Sequence, residues 1–191
     1  IDRSYLAKFY ERVVFHSGEG VPCPLAWQGF DRQDVLMRSD TLADVLMASG
    51  SIPFVVDPIV DIGGAPAGIY RDGGMIDYHF DVPWRLDSGI VLYPHFYSYI
   101  VPGWFDKNKK KRLAKGETWD HMLMLAPSDA FVAGLPGGKI PDRQDFARMS
   151  DEDRLKYWTV VTKESEKLAE EFSMCLNRPE QLMERLEMAP E

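Results

Sequence analysis

The sequence predicts an α/β fold, and three patterns support that prediction. Residues 51–70 are rich in proline and β-branched side chains, which favours extended segments over helices. Residues 150–191 repeat apolar side chains at helical spacing. Between them, the stretch "GIYRDGGMIDYH" (68–79) places an acid after an apolar run and before two glycines, as expected where a strand ends in a turn. Early strands and late helices favour α/β over a helical bundle or a β-sandwich.

The composition is that of a globular protein. The 191 residues are enough for one domain with a buried core, and 45% hydrophobic with 12% aromatic residues exclude the disordered class. No apolar run approaches the roughly 20 residues of a transmembrane segment. A net charge of -8 argues against a nucleic-acid partner. These features favour the cytoplasm or the membrane periphery without fixing the compartment.

The N-terminal part of the chain predicts a helix, a strand and a second helix. Residues 4–15 carry apolar side chains at mixed spacing and are expected to start as helix and end as strand. Residues 39–49 place their apolar side chains on one side of a short helix. Ser39 or Asp40 is expected to be its N-cap, and Gly50 lies just past its end.

Extended chain is predicted in the middle of the sequence. The prolines in "SIPFVVDPIV" (51–60) and "APAGIYRDGG" (65–74) exclude helix interiors and central sheet positions, and β-branched residues dominate between them. The segment "GIVLYPHFYSYI" (89–100) predicts a further strand that enters an aromatic stretch.

Two helices are predicted at the C-terminal end. Ser150 and Asp153 have the spacing of a capping box that opens a long helix. Its apolar stripe is expected to face the core and comprises Leu155, Trp158, Val161, Leu168 and Phe172. A second, short helix follows Pro179.

No cofactor or metal centre is predicted from the cysteines. Cys23 and Cys175 lie far apart and have neither CxxC nor Cys/His spacing, so both are expected to be reduced thiols. The first residue is Ile1 rather than Met, and no basic segment precedes an apolar one as in a signal peptide. We therefore expect that an N-terminal piece of the protein is absent from this sequence.

Two blocks of the sequence resemble a known family. "LADVLMASGSIPFVVDPI" (42–59) and "GIYRDGGMIDYHFDVP" (68–83) are similar to the second conserved block of the patatin-like phospholipases, with a match strongest over residues 40–85. The resemblance implies a three-layer α/β/α sandwich and a Ser-Asp catalytic dyad that hydrolyses lipid esters. By this resemblance Asp72 is the catalytic aspartate, and residues 1–191 are the C-terminal portion of one patatin-like domain.

The chemistry of such a dyad suits these residue types. An aspartate at a strand end is held rigidly, and we expect Gly73 and Gly74 to allow a tight turn with positive φ and close approach of another backbone. The carboxylate is expected to point into a cleft rather than cap its own turn. It then accepts the proton of the serine and returns it to the leaving group, so no histidine is required.

The sequence also departs from the family pattern, because it contains neither GxSxG nor a glycine-rich oxyanion loop. We expect the N-terminal part of the same protein, or a second copy of the chain, to cover the sheet edge left open. Alone, the chain should not hydrolyse esters. Ser49 and Ser51 are considered as substitute nucleophiles, but serines at helix ends more often satisfy free carbonyls.

Two other function classes stay open. A non-catalytic binding or scaffolding module derived from the same fold explains the missing serine motif. A metal-dependent hydrolase is weaker: Asp77, His79 and Asp81 would share one face with Asp72 nearby if the segment is extended. The remaining histidines show no ligand spacing.

A basic run follows the aromatic stretch. Cationic side chains beside interfacial aromatics are typical of a protein that contacts an anionic lipid surface, whereas a charge run is ordinarily a solvated loop. The candidates for membrane-surface contact are Trp104, Phe105, Lys109, Lys110, Lys111 and Arg112.

Overall fold

The computed structural model describes residues 2–18, 23, 25 and 27–188. The chain divides into two compact units. Unit 1 comprises Ile1–Val91 and Tyr99–Leu123, and unit 2 comprises Leu92–Ser98 and Met124–Pro190. Helices and small sheets occur together, so the prediction of a broadly α/β fold is confirmed.

Unit 1 contains helices α1 (Arg3–Leu6) and α2 (Leu42–Ser49) and strands β1 (Arg12–His16), β2 (Arg32–Leu36), β3 (Ile59–Val60) and β4 (Ile69–Tyr70). Strands β1 and β2 pair in parallel, with Arg12 opposite Arg32 and His16 opposite Leu36. Strands β3 and β4 pair antiparallel. The helix-to-strand change predicted over residues 4–15 is thereby confirmed.

Helix α2 begins later than the sequence predicted. Its N-cap is Thr41 rather than Ser39 or Asp40, and no side chain caps the helix. Asp40 is unavailable because its carboxylate is held by the guanidinium of Arg38, whose Nε donates to Asp40 Oδ1 at 2.9 Å. Gly50 follows the helix as predicted.

The segment after α2 is a turn, so the prediction of extended chain across residues 51–60 is wrong except at β3. The amides of Val55 and Val56 both donate to the carbonyl of Ile52, at 3.1 and 3.0 Å. The buried Ser51 hydroxyl lies 2.8 Å from the carbonyl of Met47 and 3.0 Å from that of Asp57. These bonds draw the two ends of the segment together and leave only its last residues free to form β3.

Two apolar clusters form the core of unit 1. The first contains Leu6, Phe30 and Ile76, and the second contains Val45 and Ala48 of α2 together with Ile62. Phe105 packs against the first cluster. The side chains that follow the aspartate of the DGG sequence are therefore anchored in the same core as α1.

Strands β5 (Val91–Pro94) and β6 (Met122–Leu125) pair where the chain passes from one unit to the other. The strand predicted within residues 89–100 is thus present but short. Its aromatic continuation is not strand: rings of neighbouring residues stack instead, with His95 and Phe96 4.5 Å apart between centroids.

Unit 2 is helical beyond β6, with α3 (Asp129–Gly134), α4 (Asp145–Arg148), α5 (Asp151–Asn177) and α6 (Pro179–Arg185). The predicted capping box is confirmed: the amide of Asp153 donates to Ser150 Oγ at 3.1 Å, and that hydroxyl donates to Asp153 Oδ2 at 2.7 Å. The short helix after residue 178 is also confirmed. The predicted stripe is only partly buried, since Leu155 is 69% exposed.

A buried carboxylate joins α4 and α5 to the preceding loop. Asp145 is 1% exposed and accepts hydrogen bonds from Lys139 Nζ at 2.6 Å, the Asp142 amide at 2.9 Å and Trp158 Nε1 at 3.0 Å. The Lys139 ammonium, more than any other group, holds the pKa of Asp145 at about 2, below the ordinary value of 3.8. Deprotonated Asp145 thus stabilises the helical unit.

We predict an acid-dependent loss of stability in unit 2. Because the pKa of Asp145 is lower in the folded state than in the unfolded state, its stabilising effect is present above the unfolded pKa, near 3.8, and is lost as pH falls towards 2. Asp145→Asn should lower the urea midpoint at neutral pH and flatten its pH dependence in that window, measured by helical circular dichroism. Asp151→Asn, at a position whose side chain is 95% exposed, is the matched control. Equal midpoints for the two variants would contradict the assignment.

Candidate functional site

Asp72 lies beside the SIP turn, the segment that begins at Ser51 after α2. The amide of Asp72 donates to the carbonyl of Ser51 at 3.2 Å, which joins the two sequence blocks directly. Tyr70, the last residue of β4, packs on Phe15 of β1 with ring centroids 6.1 Å apart. Its hydroxyl donates to the carbonyl of Pro66 at 2.5 Å, and burial raises its pKa. The backbone on both sides of Arg71 is therefore fixed.

The half-buried carboxylate of Asp72 caps the turn that follows it. Oδ1 accepts a hydrogen bond from the amide of Gly74 at 2.7 Å, at the start of a 3-10 turn over Gly73–Met75. The expectation that Asp72 does not cap its own turn is therefore wrong. Within the described ranges, no group donates a hydrogen bond to Oδ2 of Asp72. One oxygen thus orients the carboxylate.

The two glycines after Asp72 have different roles. Neither has a positive φ, so that part of the expectation is wrong. A Cβ on Gly74 would lie 2.8 Å from Asp72 Oδ1 and 3.4 Å from Tyr78 Cδ2, whereas a Cβ on Gly73 would meet nothing within 4 Å. The second glycine is required for close approach, and the first is not.

Ser49 and Ser51 differ in their surroundings. The hydroxyl of Ser51 is within hydrogen-bond distance of two backbone carbonyls, and the residue is 0% exposed, so it supports the turn as expected. Ser49 is exposed at the C-terminal end of α2.

An ion pair anchors the segment behind Asp72. The guanidinium of Arg12 donates from Nε and Nη2 to the two oxygens of Asp77, at 2.6 and 2.8 Å. Arg12 is 5% exposed and lies between the rings of Trp27 and Phe30, 5.3 and 5.5 Å from their centroids. The sequence analysis missed this residue, although a charge at the start of the apolar run "RVVF" was the available signal.

A second acid, Asp106, is 2% exposed and pairs with Arg112 at 2.8 Å and with Arg3 at 3.6 Å. A Cβ on Gly103 would lie 2.7 Å from Arg3 Nη1 and 3.1 Å from Asp106 Oδ2, so a larger residue here would have to displace the Arg3 guanidinium. Arg112 therefore has a structural role within the basic run.

The three residues of the proposed metal set do not share a face. Asp77 is paired with Arg12, His79 Nδ1 accepts from the amide of Val101 at 2.9 Å, and Asp81 accepts from the Thr118 hydroxyl at 2.7 Å. The segment bends instead of continuing as strand. In the part of the chain that the structure describes, no group of three His, Cys, Asp or Glu side chains is arranged to hold a metal ion.

Two aromatic rings stand next to the Asp72 turn. Tyr78 and Trp104 have ring centroids 5.8 Å apart and planes at 88°. The ammonium of Lys107 lies 3.9 Å from the Tyr78 centroid and 3.4 Å from the Trp104 centroid. Trp104 is half-buried and Phe105 packs on the core, so neither candidate projects fully outward. The sequence analysis did not single out Tyr78.

The basic run forms a 3-10 turn over Lys110–Arg112. Lys111 is exposed, Lys109 is half-buried, and both line a shallow depression with Asn108 and Arg112. Across the described residues, no helix has both the length and the apolar character needed to cross a membrane.

Comparison with known proteins found no matching family model, no matching curated protein and no matching solved structure. The case for a patatin-like function consequently depends on the sequence blocks and on the geometry around Asp72.

We predict that the two glycines respond differently to substitution. Gly74→Ala should displace the Asp72 carboxylate and destabilise unit 1 by about 1–2 kcal/mol, because the new methyl group collides with the cap. Gly73→Ala is the matched control and should stay within about 0.5 kcal/mol of wild type. Chemical denaturation measures both, and amide chemical shifts at position 72 report the displacement. Equal costs for the two variants would contradict the close-approach assignment.

Proposed function

We propose that the complete protein is a lipid acyl hydrolase, a patatin-like serine esterase or phospholipase A, to which this chain supplies Asp72 as general base. The hydrogen bond between the Asp72 amide and the Ser51 carbonyl carries the proposal, because it unites the two blocks that resemble the family. We propose a three-layer α/β/α sandwich as the fold of the complete protein on the same grounds.

In the proposed reaction, a serine hydroxyl attacks the ester carbonyl and Asp72 accepts its proton. The proton passes to the departing alcohol as the tetrahedral intermediate collapses to an acyl-enzyme. Water then attacks the acyl group, again giving its proton to Asp72, and the serine is released protonated. Oδ1 stays bonded to Gly74 throughout, and Oδ2 exchanges the proton.

The serine and the oxyanion donors are proposed to come from polypeptide outside this chain, in the N-terminal part of the same protein. Exposed apolar side chains of unit 1 support this proposal, because further polypeptide could pack on them. Leu36 of β2 is 44% exposed, Leu46 of α2 is 63% exposed, and Phe54 is fully exposed. Parallel sheets are normally covered on both faces, which a partner segment would provide here.

One observation favours the alternative, a non-catalytic binding or scaffolding module. Asp72 has a complete structural role as the cap of the 3-10 turn, and the chain lacks GxSxG. A turn of this kind requires no chemistry from its aspartate.

Transient contact with an anionic membrane surface is a further part of the proposal. Lys109, Lys110 and Lys111 are its candidates, since Arg112 is paired with Asp106; the side chain of Lys110 lies outside the part that the structure describes. Lipid substrates lie in such a surface, so a cationic segment would bring the enzyme to them.

We predict that Asp72→Asn abolishes most ester hydrolysis by the complete protein. Loss of a general base should reduce kcat by about 100-fold to 10,000-fold while removing little volume. Turnover of a soluble short-chain nitrophenyl ester measures the effect. Asp87→Asn, which changes an exposed carboxylate of unit 1 in the same way, should retain wild-type turnover. If the Asp72 variant hydrolyses the ester as fast as wild type, the non-catalytic module becomes the better account.

We predict that the double substitution of Lys109 and Lys111 by Gln weakens binding to phosphatidylserine vesicles at low salt by roughly 30-fold, at about 1 kcal/mol per charge. Hydrolysis of the soluble ester should be unchanged. Substituting Lys163 and Lys167 of α5 by Gln removes the same charge and is the control. Vesicle co-sedimentation decides the matter: equal binding by the two double variants would identify the run as a solvated loop.

A further inference from the structure

We propose that Tyr78 and Trp104 form a binding site for a quaternary ammonium group, such as the choline of a phospholipid head group, and that Lys107 occupies this site in the absence of ligand. The assignment of the ligand to a lipid rests on the proposed function, whereas the site itself rests on the geometry of the three side chains.

The two rings form two walls of an aromatic cage. Their planes are at 88° and their centroids are 5.8 Å apart, so a cation placed between them faces both rings. A cation within about 6 Å of an aromatic centroid is attracted to the negative face of the ring. The ammonium of Lys107 satisfies this condition for both rings, at 3.9 Å from Tyr78 and 3.4 Å from Trp104. The position therefore already accepts a positively charged nitrogen.

The cage is next to the candidate base. The Tyr78 ring approaches the position of a Gly74 Cβ to 3.4 Å, and the Gly74 amide donates to Asp72 Oδ1 at 2.7 Å. One residue thus separates the carboxylate from a wall of the cage. A ligand whose cationic end enters the cage would have the rest of its length near Asp72.

A quaternary ammonium is a better ligand than the lysine that occupies the position. A lysine ammonium is compact and strongly hydrated, so it is held in water more firmly than a trimethylammonium group. A trimethylammonium group has no N–H donor and is the kind of ligand that aromatic cages recognise in other proteins. Lys107 is exposed and its backbone is the C-cap of the Trp104–Asp106 turn, so its side chain can leave the cage without breaking a helix. The lysine then acts as an intramolecular competitor that ligand must displace.

The test is an NMR titration of the 191-residue chain with choline and with its neutral isostere 3,3-dimethylbutan-1-ol, following the Trp104 indole and Tyr78 signals. Choline should bind and the isostere should bind at least about 5-fold more weakly, because only the cation interacts with the ring quadrupoles. Lys107→Ala should tighten choline binding by about 5-fold or more, since the internal competitor is gone. Lys163→Ala removes the same charge at an exposed position of α5 and should leave the affinity unchanged.

Trp104→Ala should weaken binding by about 3-fold to 30-fold. If that variant fails to fold, Trp104→Phe keeps a ring in place and should give intermediate affinity. Equal binding of choline and its isostere, or no tightening in a folded Lys107→Ala chain, would overturn the proposal. Dihexanoylphosphatidylcholine below its micelle concentration distinguishes a lipid head group from free choline: tighter binding than choline supports the lipid, and equal binding assigns the site to the ammonium alone.

The outcomes separate this site from the dyad. Choline binding without any ester hydrolysis by the complete protein would support the cage and contradict the role of Asp72 as a base. Hydrolysis of a neutral ester without choline binding would do the reverse.

Discussion

The buried ion pair between Arg12 and Asp77 is the interaction on which the candidate site depends. It connects the first residue of β1 to the segment that follows the Asp72 turn, through hydrogen bonds of 2.6 and 2.8 Å. The rings of Trp27 and Phe30 lie 5.3 and 5.5 Å from the guanidinium, and Arg12 is only 5% exposed. Removing one partner of such a pair generally costs about 3–5 kcal/mol, because a buried charge is left uncompensated. Asp72 is thus held between two fixed points, the SIP turn before it and this ion pair after it.

The capped carboxylate reconciles a structural and a chemical role for Asp72. A side chain that caps a turn with one oxygen has lost most of its rotational freedom. The entropy cost of fixing it is met when the chain folds, so it does not add to the barrier of the reaction. The same bond is consistent with a scaffold that has no chemistry, and the difference lies in what reaches Oδ2. The ring of Tyr78, which packs on Trp104, lies close to Gly74 of the same turn.

Features encoded over a few residues could be predicted from the sequence, and features that depend on distant partners could not. The capping box of Ser150 and Asp153 is local and was predicted correctly. The N-cap of α2 was assigned wrongly because Arg38 takes up the carboxylate of Asp40. The need for Gly74 was attributed to positive φ and to close approach of another backbone, whereas the structure shows the close approach of a side-chain atom, Asp72 Oδ1.

Contacts between distant parts of the chain could not be predicted from any pattern in the sequence. The contact between the Asp72 amide and the Ser51 carbonyl joins residues distant in sequence, and no sequence pattern predicted it. The pairing of Tyr78 with Trp104 joins residues whose separation in sequence gives no indication of contact. The division into two compact units likewise reflects packing between distant segments, which neither composition nor periodicity encodes.

The small sheets of unit 1 are relevant to the proposal that further polypeptide packs on this unit. Within the described residues, β1 and β2 form a parallel pair without a third strand. Isolated pairs of strands are marginal in water, and parallel ones are found almost only in larger, covered sheets.

The central claim is that a serine from outside this chain completes the site. A crystal structure of the complete protein with a phosphonate bound to that serine tests it most directly. The account predicts the serine oxygen within hydrogen-bond reach of Asp72 Oδ2, about 2.6–3.2 Å or one water away. A serine adduct on the far side of the protein from Asp72, or no adduct at all, would contradict it.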